Sequence, residues 1–517
     1  MKLSDLKKMR VAVSLLFLVP ASLVFLDFTN TIPPELITGF LSLQFLPSLS
    51  RTLRLIGLST LGLGIVLLLT LLFGRVYCST LCPLGTLQDI IGFIARKVHR
   101  HRSHPELPAY NGLRYGLLTL TAVSLPAGAM AVVSILDPFS NFGRIFAGLV
   151  RPAVLGFNNA GALFLEWFDV FALYPLQIRG IGWLSLTAPV LLLALVGWLA
   201  WTRGRLYCNT VCPVGAFLGL LSLRSLYRIS IHADECTGCG LCQRVCKAGC
   251  IDSERKTVDM SRCVGCYNCF PECPTEGITY TRVGARRTGE HEVDQRKRDL
   301  LVGSIVGLAA LAGMPPVETR RIIAVKDATV PVVRNTPVAP PGSTGVGRFT
   351  ERCTACHLCI SACPTQVLVP SFLEYGLLGI LQPQMDYRTS FCNFECTRCS
   401  EVCPSGALLP IPVERKKITQ LGAAKFVKDN CIVYTEGTEC GACSEHCPTK
   451  AVKMVPYKLL LAPEVKEEYC VGCGACEFAC PTRPYKAIYV EGLKEHTTAK
   501  KAPKEKIREE AVEDFPF

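Results

Sequence analysis

The residues that promise chemistry are the cysteines. The 517-residue chain has 29, and nearly all stand in short, regular runs. Cys236, Cys239, Cys242 and Cys246 follow the C-x2-C-x2-C-x3-C spacing, and so do Cys263, Cys266, Cys269 and Cys273. In such a run three thiolates grip one four-iron cubane while the fourth reaches across to a neighbouring one. The spacing therefore predicts one [4Fe-4S] cluster on Cys236, Cys239, Cys242 and Cys273, and a second on Cys263, Cys266, Cys269 and Cys246. Cys246 precedes Lys247 where Pro is usual, and Cys250 is left over. Four further quartets follow: Cys353, Cys356, Cys359, Cys363; Cys392, Cys396, Cys399, Cys403; Cys431, Cys440, Cys443, Cys447; and Cys470, Cys473, Cys476, Cys480. Each ends in Cys-Pro, and about six clusters are expected in all. Disulfide frameworks belong to small secreted chains, so metal ligation is the better reading of these cysteines.

A second pattern is an internal repeat. GRVYCSTLCPLG, containing Cys78 and Cys82, recurs as GRLYCNTVCPVG, containing Cys208 and Cys212. Pro83 and Pro213 suit the first position of a new helix, which sets Cys82 and Cys212 at helix N-termini where a thiolate is favoured. Both motifs follow apolar runs that point the same way. Two such hairpins side by side would bring the four thiols together. A metal or cluster, a pair of packed turns with buried thiols, and a redox-active dithiol are the three readings.

The elements that must position these groups are membrane helices. Half of the residues, 50%, are apolar. Basic residues at 2–10 precede a first apolar run to Phe25, with no small-residue cleavage site after it, so it reads as an uncleaved helix starting in the cytoplasm. Further spans are expected at about 54–74, 113–136 (kinked at Pro126) and 181–201. Arg75, Arg96, Lys97, Arg100 and Arg102 mark the loop after the second span as cytoplasmic. Residues 137–180 should lie outside, with interfacial aromatic pieces; Asp137, Glu166 and Asp169 there read as solvated carboxylates, or as acceptors for protons released by a quinol. After a basic linker, residues 300–317 would reach about 27 Å as a helix, near the ~30 Å of a hydrocarbon core, and so make a fifth span leading outward. The fold class is thus a membrane α-helical bundle carrying two ferredoxin-like α+β domains. The expected parts are residues 1–231 (membrane), 232–283 (two clusters), 284–348 (linker, fifth span and an extended Pro-rich connector), 349–490 (four clusters) and 491–517 (charged tail).

Other chemistries are excluded. The formal charge of +13 invites a nucleic-acid reading, but several anionic clusters would cancel most of it. Cys353–Cys356–His357 matches the C-x-x-C-H haem pattern, yet using it would orphan Cys359 and Cys363. No His lies in the expected spans, which argues against a b-type haem, and no Gly-rich phosphate loop or nucleophile elbow is present.

On its four spans, paired Y-C-x-x-x-C-P motifs and following two-cluster run, the first 283 residues resemble the NapH-type membrane iron–sulfur proteins. Residues 284–490 resemble the NapG/MauM ferredoxins, with four quartets and a wide gap from Cys431 to Cys440; RKRDLLVGSIVGLAALAG is similar to the twin-arginine signal of that family, except that Lys297 separates the two arginines. The resemblance implies a natural fusion of the pair. It also implies a quinol dehydrogenase-type module in a bacterial inner membrane, relaying electrons between the quinone pool and a periplasmic oxidoreductase or multihaem cytochrome. The two-cluster domain would be cytoplasmic and the four-cluster domain periplasmic. The rival reading is an assembly or regulatory factor that supplies reducing equivalents for maturation of a metalloenzyme.

Overall fold

A computed structural model describes residues 3–53, 59–98, 109–180, 182–282 and 330–502. The expected fifth span lies outside the described residues. The architecture is mixed α/β: a helical first part, then two parts built of short antiparallel strands and cysteine-bearing loops.

The N-terminal apolar run forms one helix, α1 (Leu3–Leu26). Two short helices follow, α2 (Pro34–Leu41) and α3 (Phe45–Thr52), before α4 (Ser59–Phe73). Gly74, in a left-handed conformation with φ +80°, stops α4, and Gly204 with φ +64° stops the corresponding helix of the second repeat. That conformation strains a residue with a Cβ, which accounts for Gly opening both copies of the motif. The motif then makes a single turn, α5 (Tyr77–Thr80), and Pro83 opens α6 (Pro83–Val98). In the second half α7 (Asn111–Ser124), α8 (Met130–Leu136), α9 (Pro138–Ile145) and α10 (Arg151–Glu166) lead to α11 (Trp183–Arg203), α12 (Leu206–Thr210) and α13 (Pro213–Ser222).

Helix lengths differ from the hydropathy expectation. Among the described residues two stretches, Asp5–Leu26 and Ser185–Arg203, are long and apolar enough to cross a membrane. Of the second expected span residues 59–73 are described and all lie in α4, and the third is broken into α7 and α8 rather than kinked. Pro126 and the left-handed Gly128 (φ +73°) supply the break, and the Gly128 turn packs against Glu351 of the C-terminal part. The stretch after 137 also departs from expectation. Its aromatic end is exposed, from Phe164 to Tyr174, but α9 is buried along its whole length, with Phe139, Phe142 and Ile145 in the main core. Glu166 and Asp169 are exposed, whereas Asp137 is 2% exposed and caps α9 by accepting from Ser140 N at 2.7 Å.

The two-cluster part is closed by β1 (Tyr227–Ile231) paired antiparallel with β4 (Ile278–Arg282), with a small β2 (Ile251–Asp252) and β3 (Thr257–Val258) hairpin between them. It therefore starts ahead of residue 232. In the C-terminal part β5 (Leu368–Pro370) pairs with β6 (Pro383–Met385), β7 (Thr419–Phe426) with β10 (Ile488–Thr498), and β8 (Val452–Tyr457) with β9 (Leu460–Val465). Residues 491–498, expected in a solvated tail, are thus strand. Glu491, Gly492, Thr497 and Thr498 pair with β7, and a register shift between Gly492 and Thr497 leaves Lys494 and Glu495 outside that ladder. The described start of the Pro-rich connector, residues 330–340, forms no helix or strand. Its end, however, belongs to this core: Val338 and Ala339 are buried and Val338 O accepts from Met385 N at 3.1 Å.

The two iron–sulfur parts sit at opposite ends of α1. Near one end Arg10 meets Asp89 at 2.7 Å, and Asp89 also holds Lys247 of the two-cluster part at 3.1 Å. Beyond the other end Asn30 accepts from Arg398 of the C-terminal part at 3.0 Å, and Asp27 lies 3.9 Å from the same guanidinium. At 1.5 Å per residue, Arg10 and Leu26 are about 24 Å apart.

Candidate iron–sulfur relay

The predicted ligands fall into compact groups. Cys242 lies within electrostatic reach of Cys236, Cys239 and Cys273, and Cys269 within reach of Cys266, Cys263 and Cys246. The fourth quartet member crosses over in the C-terminal part as well. Cys403 joins Cys353, Cys356 and Cys359, while Cys363 joins Cys392, Cys396 and Cys399. Cys480 lines one pocket with Cys431, Cys440 and Cys443, and Cys447 joins Cys470, Cys473 and Cys476. The linear quartets of the sequence are therefore exchanged in pairs.

These groups fit cubanes better than single ions. Among the described residues no three His, Cys, Asp or Glu side chains converge on one ion position. Backbone N–H groups point at the sulfurs: Ala355 N to Cys353 Sγ at 3.4 Å, Leu408 N to Cys403 Sγ at 3.4 Å, Ala451 N to Cys447 Sγ at 3.2 Å and Gly472 N to Cys470 Sγ at 3.4 Å. Such donors stabilise thiolate charge and tune a cluster's potential. Cys239 is exposed and Cys236 and Cys273 are half-buried, so this first group lies nearest solvent.

Cys250 has a defined place. Its N–H donates to Cys246 Sγ at 3.5 Å, as Ala451 does to Cys447, so it holds the position of an alanine in a related loop. Its thiol lies 3.5 Å from Cys246 Sγ and pulls that thiol's pKa down to about 6. Cys250→Ala is therefore expected to keep the full iron content and to make the neighbouring cluster harder to reduce. Loss of about four irons would instead make Cys250 a ligand.

The paired repeat converges as the sequence implied. Cys78, Cys82, Cys208 and Cys212 are all buried and within electrostatic reach of one another. Two arginines complete the arrangement with a pseudo-twofold. Arg75 donates to Cys208 O at 3.1 Å and Arg205 to Cys78 O at 2.8 Å, and each stands 3.8 Å from the sulfur in its own repeat. Both are 1% exposed, although a basic residue after a membrane run reads from sequence as solvated. The repeated GR before each Y-C was the available signal. Asp89 binds Arg205 at 2.9 Å besides Arg10 and Lys247, which gives Lys247 its reason for replacing Pro. Burial opposes the Asp89 charge, but Arg205 and Lys247 together hold its pKa well below the carboxylate range.

Each repeat also has a tyrosine that reaches the other side of the bundle. Tyr77 OH accepts from Phe45 N at 3.0 Å, and Tyr207 OH accepts from Asn141 Nδ2 at 2.8 Å. Asn141 Oδ1 accepts from Arg144 at 3.1 Å, and Arg144 Nε donates to Ala355 O at 3.0 Å, between Cys353 and Cys356. Arg51 Nη2 donates to Cys403 O at 2.7 Å. The helical part thus grips the backbone of the loops bearing Cys356 and Cys403. His357, next in the chain, sits in a left-handed conformation with a ring nitrogen 2.8 Å from Leu381 O, and burial pushes its pKa down to about 3.

Comparison with known proteins agrees with this chemistry. A 4Fe-4S binding domain model matches residues 55–101 and 184–230, the two repeats; another 4Fe-4S binding domain matches 256–279 and 348–369; and a 4Fe-4S dicluster domain matches 438–484. The ferredoxin-type protein NapH of Haemophilus influenzae is 27% identical over 226 residues, 42% of this chain and 66% of that protein. The methylamine utilization ferredoxin-type protein MauN of Methylorubrum extorquens is 30% identical over 192 residues, 37% of this chain and 54% of its own length. The chain thus spans only about half to two thirds of these relatives. No solved structure matches it. The chain is an iron–sulfur electron-transport protein related to the NapH and MauN ferredoxin-type proteins. Its many cysteines hold multiple [4Fe-4S] clusters, and the relationship extends through the helical part.

Proposed function

We propose that this protein is the membrane-bound electron-transfer subunit of a quinol dehydrogenase-type system, relaying electrons between the quinone pool and a periplasmic redox partner. The observation that carries the reading is the contact chain from Cys208 through Tyr207, Asn141 and Arg144 to the Ala355–Cys356 loop. It supplies continuous packed protein between groups at opposite ends of α1, where a bilayer would otherwise insulate one from the other. In this reading the two-cluster part faces the cytoplasm and the four-cluster part, fused as a NapG/MauM-like domain, faces the periplasm. The ligand sets are the exchanged cysteine groups described above. Cys78, Cys82, Cys208 and Cys212 hold a further cluster, with Arg75 and Arg205 balancing its charge. The chemistry supplied by the clusters is one-electron transfer; the chain contributes spacing, charge and docking surface.

The test is quinol-driven reduction of the purified full chain in proteoliposomes, read by electron paramagnetic resonance beside iron and sulfide analysis. Six cubanes on the quartets and a further one on the paired repeat, about 28 iron in all, and reduction by quinol are expected, with Cys78→Ser together with Cys212→Ser removing one distinct signal. Four cubanes or fewer, or clusters inert to quinol, would defeat the reading. An assembly factor would instead leave quinol-driven activity of a mature partner intact when this chain is absent.

A further inference from the structure

We infer that the apolar cavity between α3, α4, α7, α8 and α13 is the binding site for the ring of a membrane quinol, with Asp137 as its hydrogen-bond and proton acceptor. The inference rests on the quinol reading above and names the site for it. The cavity is about 290 Å³, near the lower bound for small-molecule sites, and its walls are almost wholly apolar. Phe45 and Phe217, whose rings lie 5.7 Å apart, form an aromatic wall suited to a flat ring, with Leu125 and Val214 beside them.

One group in this lining is out of place. Asp137 is 2% exposed and its Oδ2 is spent on capping α9, while its Oδ1 meets no donor in good hydrogen-bonding geometry, with the Ser140 hydroxyl, Phe139 N and the Arg144 guanidinium as its polar neighbours. An unsatisfied buried carboxylate oxygen is costly unless a ligand satisfies it. A lipid chain offers that oxygen nothing, whereas a quinol hydroxyl is a donor attached to an apolar ring. The position favours electron removal too. Pro213 and Val214 of the wall directly follow Cys212, Phe45 N is bonded to Tyr77 beside Cys78, and Asp137 lies within electrostatic reach of Cys356. Oxidation there breaks both quinol O–H bonds and leaves the quinone. Asp137 takes the two protons in turn, the first leaving to water before the second arrives. The two electrons leave singly, so that two of the chain's iron–sulfur centres are each reduced by one electron.

The experiment uses the full chain in nanodiscs and an azido-substituted short-chain quinone as photolabel, mapped by peptide mass spectrometry. Label on Phe45–Leu49 or Val214–Phe217 is expected. Leu125→Trp, which fills the cavity, should cut labelling at least tenfold with iron content unchanged. The isosteric Asp137→Asn should weaken binding of the reduced probe by about tenfold, the scale of a lost hydrogen bond to a charged group, and carries the test should Leu125→Trp fail to fold. Label mapping elsewhere, with binding untouched by both substitutions, overturns the site. If quinol still reduces the clusters in that case, only this cavity is refuted; if the wild type neither binds nor oxidises quinol, the proposed function falls with it.

Discussion

Gly143→Val is expected to uncouple the two iron–sulfur parts while leaving each intact. A Cβ at Gly143 would stand 2.2 Å from Cys356 O and 2.8 Å from the Phe25 ring. Neither neighbour can yield cheaply, since one is backbone and the other lies in the main core. The helical part must therefore release the Cys353–Cys356 loop, and Arg144 loses its hold on Ala355 O. Stopped-flow reduction by quinol should show the C-terminal clusters reducing several-fold more slowly, with the iron content of the wild type. Gly156→Val, on the same helical run with nothing within 4 Å of the added carbon, should be silent. Equal rates in both variants would remove the docked loop from the electron path.

Asp89→Asn should be the most destabilising single substitution in the helical part. Asp89 pairs with Arg10, Arg205 and Lys247, all of them buried, and among the described residues no other carboxylate is seen paired with them. Removing one partner from a buried charge group costs about 3–5 kcal/mol, because the remaining charges stay out of water. The two-cluster part is anchored through Lys247, so thermal unfolding and protease sensitivity should both show it loosening first. The pH dependence has a definite sign. The folded pKa of Asp89 is below that of the unfolded chain, so its contribution is full above about pH 4, the ordinary aspartate range, and is lost only as acid carries the pH through the lower folded value. Stability of this part should therefore be flat from neutral pH to about pH 4 in the wild type.

The clusters were legible because their ligands lie close in sequence, where spacing and chemistry coincide. The exchange of Cys273 and Cys246 followed from the same spacing rule. In the C-terminal part the exchange of Cys363 with Cys403, and of Cys447 with Cys480, depends on which loops pack face to face, and linear quartets do not encode that. The apolar helices were only partly legible. Pro126 marked a weak point, but the full break at Gly128 is fixed by packing against Glu351, far along the chain. Short helices such as α3 and α9 have the composition of interfacial loops, so nothing local marks their insertion into the core. Arg75, expected in a basic solvated loop, is buried for a related reason. A basic residue after an apolar run is ordinarily solvated, and only tertiary partners reveal the buried pair. The charged residues of β10 hid a strand because its ladder partner lies some 70 residues away, as with Glu491 and Ala423.

The crossed arginines bear on how such a chain can arise and change. Arg75 completes the turn carrying Cys208, and Arg205 completes the turn carrying Cys78. One hairpin alone holds half a site and lends the other half to a neighbour. The helical part is in effect a homodimer joined into one polypeptide. Its halves can diverge freely only where they do not face each other. Ser79 and Asn209 illustrate the limit: at equivalent positions they differ as residues, yet each still bonds a cluster-loop carbonyl, Gly265 O at 3.2 Å and Ala248 O at 3.0 Å. The two equivalent turns thus seat two different loops of the same two-cluster domain.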